Sequence, residues 1–283
     1  MKTIIKVLIV LILAIAVFGG AAWFAYDLYL KPRAIILKKN LPTPTPVPTP
    51  DPSTVQWEKL HASFKTASVA EKQVVLQRFM AAYPDSPKFR DARAELGQIN
   101  SDHFFSSAPG PGKIEYIVQR GDSIARIASH HKVSYDTLIR ANNLDRLLIH
   151  PGDKFIIPTG DFSGEIFPKT GVFTLMNAGI FFKDYQILAA NIPKRLPGGG
   201  KLTVTDKVAW HNGSPVAFGH KNYLGSTRWI SCGSQFTIYS VVERPAGAPP
   251  DVNKPIGGIQ LAPEDLEELF ALVNRGMPIT IVP

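Results

Sequence analysis

Few side chains in this sequence could act as a nucleophile or a base. Cys232 is the only cysteine, and of the seven histidines His211 and His220 lie nearest before it in the chain. A cysteine beside a histidine can form a thiolate that attacks a carbonyl carbon. A lone cysteine in an apolar strand is by default a small buried hydrophobe. Cys232 with His220 or His211 therefore stays open as a catalytic pair, and burial is the favoured interpretation.

A second feature is an elbow without a reactive group. In NKPIGGIQLAPEDLEELFALVNRGMPITIVP, residues 253–283, a tight turn leads into an apolar triplet, a helix and a closing strand. Enzymes place nucleophiles at sharp strand-to-helix turns of this kind. Here the turn holds only Gly257 and Gly258, so the layout is kept without a side chain that could react.

The charge distribution limits the classes of partner. Residues 1–52 hold six Lys and Arg against two acids, or +4, and the other 231 residues share the remaining +4 of the net +8. Nucleic-acid-binding domains cluster basic residues on one face. The dilute charge excludes a nucleic-acid partner. The isolated histidines form no ligand pattern, so no metal or other cofactor is expected.

The N-terminal segment is apolar enough to enter a membrane. Residues 7–26 carry no charge, and a helix of that length spans the hydrocarbon core of about 30 Å. Small residues at 14–16 and 20–22 keep a cleavable signal peptide open, but the apolar run exceeds the usual length of about 7–15 residues. We interpret residues 1–30 as a membrane anchor or signal segment and favour the anchor, although the flanking charges do not fix its orientation.

Two stretches have the composition of linkers. Residues 31–52 include LPTPTPVPTPDP, whose alternating prolines favour an extended polyproline II spacer. Residues 105–113 include SSAPGPGK, which is rich in turn-forming residues. We expect both stretches to separate folded parts.

The stretch between these linkers, residues 53–104, has helical patterning. Ser68 and Glu71 have the spacing of a capping box, and Ser86 before Pro87 predicts the start of the next helix. The helix pair resembles a tetratricopeptide-type hairpin. Because one such unit does not bury a continuous core, we expect it to pack on its own first helix or on a neighbouring domain.

Residues 114–159 contain the most specific motif blocks. A strand, YIV, is followed by a Gly-Asp-Ser turn, two short capped helices, the block ANNL, and the turn PGD before a return strand. This βααβ unit resembles the LysM domain. The resemblance implies binding of N-acetylglucosamine-containing glycan, most plausibly peptidoglycan. In that family the sugar lies between two loops, which correspond here to Gly121, Asp122, Ser123, Leu148, Ile149 and His150.

Residues 161–283 alternate between short apolar strands and Gly- or Pro-containing turns. Only residues 263–276 have convincing helical patterning, with proline at the start, acids in the first turn and Arg-Gly at the end. This pattern predicts a mostly-β sandwich or barrel with one helix.

In order, these strands resemble the YkuD-type L,D-transpeptidase domain, moderately in the first half and closely from LGSTRWISCG onward. In that family a cysteine attacks the peptide stem, a histidine is its base and an arginine follows the cysteine. The corresponding positions here are Gly258, Tyr239 and Gln260, and Pro255 replaces the usual hydroxyl residue. A proline-rich insertion, residues 243–254, lies where the active-site rim would be. The packing residues of the motif remain: Ile238, Ile259, Leu261, Leu266, Leu269, Phe270 and Val273.

The sequence therefore predicts a multidomain envelope protein. An N-terminal transmembrane helix precedes a short α-helical hairpin, a LysM unit and a catalytically inactive L,D-transpeptidase-like domain, the last two outside the cytoplasm. Its expected partners are peptidoglycan, the membrane through residues 7–26, and other cell-wall proteins. An active transpeptidase with relocated residues and a protein-interaction scaffold remain alternatives. Arg228 and Trp229 are interpreted as structural strand residues, with contact to a glycan stem as the alternative.

Overall fold

A computed structural model describes residues 2–31, 51–193, 196, 200–233, 235–240, 255 and 257–283. The chain forms two compact units, Met1–Pro50 and Asp51–Pro283. Residues 32–50, which hold most of the expected spacer, and the expected insertion at 243–254 lie outside the described residues.

The first unit contains one long helix, α1 (Lys2–Ala25), continued by a π-helical segment, Tyr26–Leu30. No side chain of α1 is buried. Lys2–Leu30 is the one described helical stretch long and apolar enough to cross a membrane. The expectation of an apolar N-terminal helix is confirmed. Both a membrane anchor and a signal sequence have such a helix, so the structure does not distinguish between them.

The second unit combines six helices with thirteen strands among its described residues. The helices are α2 (Pro52–Ser63), α3 (Val69–Ala82), α4 (Phe89–Phe105), α5 (Ile124–His131), α6 (Tyr135–Ala141) and α7 (Pro263–Leu272). The strands are β1 (Lys113–Ile117), β2 (Lys154–Pro158), β3 (Phe162–Phe167), β4 (Val172–Asn177), β5 (Ile180–Gln186), β6 (Ala189–Asn191), β7 (Lys201–Thr203), β8 (Asp206–His211), β9 (Ser214–Val216), β10 (Thr227–Ser231), β11 (Thr237–Tyr239), β12 (Gly258–Gln260) and β13 (Pro278–Ile281).

Helices α2 to α4 form a small bundle with its own core, which consists of Leu60, Leu76, Phe79, Ala92 and Leu96. The predicted capping box is present at the start of α3, where Ser68 and Glu71 bond each other's backbone N–H. The predicted start of α4 is wrong, because the helix begins at Phe89. The Ser86 hydroxyl instead donates to Ser53 of α2 and accepts from the Lys88 N–H, which keeps it in the preceding turn.

Helix α4 also packs against β5, as expected for a hairpin that cannot close its core alone. The Arg93 guanidinium makes two bonds to the Asp184 carboxylate, of 2.6 and 2.8 Å, and lies 4.1 Å from the ring of Phe181. Asn100 donates to the Phe182 carbonyl at 2.8 Å. The helical bundle is therefore fixed to the edge of a β-sheet.

The βααβ unit forms as the sequence predicts. Strands β1 and β2 pair antiparallel, and Ser123 and Ser134 cap α5 and α6 through their hydroxyl oxygens. Helices and strands share an apolar core: Val118, Ile124, Ile127, Ala128, Leu138, Phe155 and Ile157.

Residues 161–283, the C-terminal domain, contain two sheets. One has the order β5-β4-β3-β13-β7 and the other β6-β12-β11-β10-β8-β9. Both sheets and α7 contribute to one hydrophobic core. The predicted packing residues all lie in this core with at most 1% of their surface exposed: Ile238, Ile259, Leu261, Leu266, Leu269, Phe270 and Val273. The mostly-β prediction with one helix is confirmed.

A buried carboxylate connects the domains. Glu268 of α7 is 5% exposed. It accepts hydrogen bonds from the Tyr185 hydroxyl at 3.0 Å and from Arg140 of α6 at 3.1 Å, and lies 2.8 Å from the Lys183 ammonium. Burial, followed by the Glu268 charge, raises the pKa of Tyr185 well above its usual value. Helix α6 is thereby held on α7.

A second polar cluster strengthens the same contact. Asp136 of α6 accepts from the Tyr223 hydroxyl at 2.9 Å and from Lys207 at 3.4 Å. The Thr137 hydroxyl donates to the carbonyl of Ala271 at 2.5 Å. The βααβ unit therefore has a defined position relative to the C-terminal domain.

We expect Arg93→Ala to lower the free energy of unfolding by about 2 kcal/mol, because Asp184 loses a two-pronged, charge-assisted partner in a half-buried site. Arg90→Ala, at an exposed position on the same helix, should change it by less than about 0.5 kcal/mol. Chemical denaturation of the full chain in detergent micelles measures both. Equal effects of the two substitutions would show that the contact between α4 and β5 adds no stability.

Candidate functional site

The two loops predicted to hold a glycan lie side by side. The Val118 N–H donates to the carbonyl of Asp153, and the Gly152 N–H donates to the carbonyl of Val118, both at 2.9 Å. These bonds join the chain leaving β1 to the chain entering β2. Two loops that are distant in sequence thus form neighbouring walls.

The first wall, Gly121 to Ser123, uses its side chains to hold its own shape. The Asp122 carboxylate accepts from the Tyr116 hydroxyl at 2.7 Å and from the Gln119 N–H at 2.8 Å. These bonds, that of Gln119 first, lower the pKa of Asp122. The Ser123 hydroxyl caps α5. Gly121 has a φ of 91°, which favours glycine. The wall is exposed at Gly121 and Ser123. Part of its backbone is already paired, since the Gly121 carbonyl accepts from Arg126 at 2.7 Å and the Asp122 N–H donates to the Gln119 carbonyl at 3.1 Å.

The second wall is more apolar. Leu148 is 67% exposed, whereas Ile149 packs against the core of the βααβ unit. The backbone N–H of His150 donates to the Asp153 carboxylate at 2.8 Å, and its imidazole remains exposed. Of the predicted residues on this wall, Leu148 and His150 have exposed side chains, and the His150 Nδ1 lies 3.9 Å from the Asp153 carboxylate.

Ile117 was not predicted as a site residue. It is 55% exposed on β1 and immediately precedes Val118, whose backbone joins the two walls. The available signal was strand alternation, because Tyr116 turns inward and so Ile117 must turn outward.

The three positions that correspond to transpeptidase chemistry are brought together. Strand β11 pairs parallel with β12, placing Thr237 opposite Gly258 and Tyr239 opposite Gln260. Tyr239 is buried, and burial raises the pKa of its hydroxyl. A tyrosine with a raised pKa is a poor base near neutral pH. The described residues here provide a neutral amide and a phenol, but no thiol or imidazole.

Gly258 has no room for a side chain. Its φ is 134°, a value that L-residues rarely adopt, and a Cβ built on it would overlap the backbone carbonyl of Thr237. The neighbouring Gly257 is also enclosed, since a Cβ there would lie 2.7 Å from the Gln235 carbonyl oxygen. The local backbone therefore leaves no space for a side chain at the position predicted to correspond to the nucleophile.

Cys232, the other candidate nucleophile, is buried. It is 2% exposed within the main hydrophobic core, and burial raises the pKa of its thiol to about 12. The exposed His220 instead accepts from the Asn222 N–H through Nδ1 at 3.2 Å. Within the described residues no hydrogen bond joins Cys232 to His220 or to His211.

Arg228 and Trp229 point to opposite sides of β10. Arg228 is 3% exposed and makes two bonds to the Glu267 carboxylate, at 2.9 and 3.2 Å. Trp229 is half-buried and packs on Trp210 with ring centroids 4.9 Å apart. The structural interpretation of Arg228 fits these contacts. The described residues contain no cluster of His, Cys, Asp and Glu able to hold a metal ion.

We expect Gly258→Cys, which would restore a thiol at this position, to lower the free energy of unfolding by about 2 kcal/mol or more, since both the φ and the Thr237 carbonyl oppose a side chain. Gly225→Cys is the matched control, because Gly225 faces open space and has no positive φ. Chemical denaturation compares the two variants. A Gly258→Cys protein as stable as the control would show that the elbow still accepts a nucleophile.

Comparison with known proteins gives one family and a set of structures. Residues 116–158 match the LysM domain model. No curated protein matches the chain significantly. The chain is similar to a mutant L,D-transpeptidase of Enterococcus faecium, at 17% identity over 43% of this chain and 49% of that one, with a TM-score of 0.28. It is also similar to L,D-transpeptidase 1 of Mycobacterium tuberculosis, at 13% identity over 46% of this chain and 66% of that one, with a TM-score of 0.28.

A third similar structure is a fused Zn-dependent amidase, peptidase and peptidoglycan-binding-domain protein of Clostridium acetobutylicum. It has 15% identity over 51% of its length and 43% of this chain, with a TM-score of 0.29. The chain spans about half the length of the first structures it matches. From the family model and the paired βααβ strands, residues 116–158 of this chain are a LysM domain.

Proposed function

We propose that this chain is a membrane-anchored cell-envelope protein that binds peptidoglycan through its LysM domain and does not catalyse transpeptidation. The observation that carries the proposal is a LysM domain in the same chain as an elbow without space for a nucleophilic side chain. The LysM domain would supply binding. At Gly258 a Cβ would overlap the Thr237 carbonyl, so the backbone there excludes a nucleophilic side chain.

The groove has the features expected of an N-acetyl sugar site. Neutral glycan is recognised by hydrogen bonds from fixed polar groups together with apolar contact to the sugar and its methyl group. The wall at Gly121 to Ser123 presents backbone that its own side chains hold in place. The exposed Leu148 supplies apolar surface. Because the side chains of Asp122 and Ser123 are already engaged, we assign recognition to the remaining backbone groups of this wall and to Leu148.

Loss of catalysis is supported by three independent features. Position 258 has no side chain, Tyr239 and Gln260 stand where histidine and arginine would be expected, and Cys232 is buried with a raised pKa. A thiol with a pKa of about 12 has about one thiolate in ten thousand molecules at pH 8. The relocated pair of Cys232 with His220 or His211 is therefore not favoured.

The anchor and the location complete the proposal. The helix Lys2–Leu30 would hold the protein in the membrane, and a LysM domain acts where peptidoglycan is, outside the cytoplasm. In this arrangement the protein links the membrane to the wall, and other cell-wall proteins are its further partners.

Co-sedimentation with insoluble peptidoglycan tests glycan binding. Leu148→Asp should weaken binding of the full chain, kept in detergent micelles, about ten-fold, since it removes apolar contact and places a charge on the groove wall. The matched control is Ile180→Asp, because Ile180 is 61% exposed but belongs to the C-terminal domain. Soluble oligomers of N-acetylglucosamine should compete with sedimentation.

Wild-type protein that stays in the supernatant at low salt would contradict the proposal. Equal binding by the Leu148 and Ile180 variants would place any binding outside the predicted groove.

A further inference from the structure

A cavity of about 630 Å³ lies between the LysM domain and the C-terminal domain. Helix α5 and the turn after it form one wall, with Ser129 and Lys132. The start of β8 and the turn after α7 form the other wall, with Lys207, Asn274 and Arg275. Its walls come from both domains, and their relative position is fixed by the contacts of Asp136 and Glu268 with the opposite domain.

The cavity wall is cationic. Lys132, Lys207 and Arg275 line it, and no acidic residue is among its described lining. Two of these cations are paired with carboxylates outside the lining. Asp206 is bonded to the Arg275 guanidinium, and Asp136 lies 3.4 Å from the Lys207 ammonium. Arg275 uses one of its nitrogens on Asp206, which leaves further N–H donors for a ligand.

Lys207 is the most buried of the three cations. Its side chain is 8% exposed, and among the described residues its three N–H donors make one hydrogen bond, the 3.4 Å contact with Asp136. The ring of Phe270 lies 4.3 Å from the ammonium. Burial lowers the pKa of Lys207 to about 8, against the opposing effect of Asp136. A buried ammonium with unfilled donors favours an anionic ligand.

The geometry of the surrounding residues is fixed. Lys132 ends α5 in the left-handed conformation, with a φ of 56°, and its carbonyl accepts from the Asn274 side chain at 3.4 Å. This bond joins the two walls beside the cavity. Ser129, one turn earlier on α5, adds an exposed hydroxyl to the lining.

We propose that this cavity is an oxyanion site, which takes a phosphate or carboxylate group carried by a cell-wall polymer. This cavity is separate from the predicted glycan site. The glycan residues Gly121 to Ser123 precede the first residue of α5, whereas Lys132 follows its last residue. Assigning the oxyanion to the wall rests on the proposed function; binding of the oxyanion itself does not.

Titration with inorganic phosphate, at constant ionic strength and with the full chain in detergent micelles, tests the site. Calorimetry should show saturable binding. The double variant Lys132→Asn with Arg275→Gln should weaken it about ten-fold, because two nearby cations are lost. Asparagine is chosen at position 132 because it tolerates the left-handed conformation.

The matched control is Lys154→Gln with Lys169→Gln, which removes the same charge from exposed positions outside the cavity lining. It should leave phosphate affinity unchanged. Absence of saturable binding, or equal loss in both double variants, would overturn the site. Leu148→Asp should leave phosphate affinity unchanged, so failure of the glycan groove and failure of this site are told apart.

The source of the oxyanion is tested by sedimentation with two preparations of cell wall. On untreated wall, the cavity double variant should sediment less than the control double variant. If this difference disappears when phosphodiester polymers are removed from the wall, the ligand is a phosphate. If it disappears after amidation of the peptide carboxylates, the ligand is a carboxylate. If the two double variants sediment equally with untreated wall, or if neither treatment changes the difference between them, a wall polymer is not the ligand.

Discussion

The arrangement of the second unit depends on one buried carboxylate. Glu268 lies inside the C-terminal domain and receives the Tyr185 hydroxyl, the Lys183 ammonium and the Arg140 guanidinium. These partners come from β5 and α6, and the Lys183 ammonium also donates to the Gln98 side chain of α4 at 3.3 Å. A buried charge is strongly destabilising when it loses its partners. Docking of the LysM domain on α7 is therefore tied to satisfying a charge that the C-terminal domain already contains.

That constraint has a consequence for function. A LysM domain on a flexible linker would hold glycan in any orientation, but this one has a defined position relative to the C-terminal domain. The same docking creates the cationic cavity, whose walls come from both domains. Meanwhile the elbow at Gly258 keeps the parallel pairing of β11 with β12 and lacks space for a reactive group. These two features are the basis of our proposal that the protein recognises wall material and does not perform covalent chemistry.

Sequence patterns predicted the features that depend on local spacing. The capping box at Ser68 and the strands and helices of the LysM domain follow from local spacing and motif blocks, whereas the packing residues around Ile259 follow from the resemblance to the L,D-transpeptidase family. Long-range charge pairing could not be predicted in this way. In PEDLEELF the acids match the start of an exposed helix, and nothing local indicates that Glu268 turns inward to meet Arg140, 128 residues earlier. For the same reason the position of Lys207 in a domain-boundary cavity was not foreseen, and Ser86 was misassigned because its partner, Ser53, lies on another helix.

The central claim is that the protein binds peptidoglycan without reacting with it. The most direct measurement incubates the full chain, in detergent micelles, with peptidoglycan and then with a carbapenem, the acylating inhibitor class that the transpeptidase resemblance suggests. Sedimentation reports binding, and intact-mass spectrometry reports covalent adducts. We predict a sedimenting protein of unchanged mass. A covalent adduct that disappears in Cys232→Ala would contradict the account and identify Cys232 as a working nucleophile.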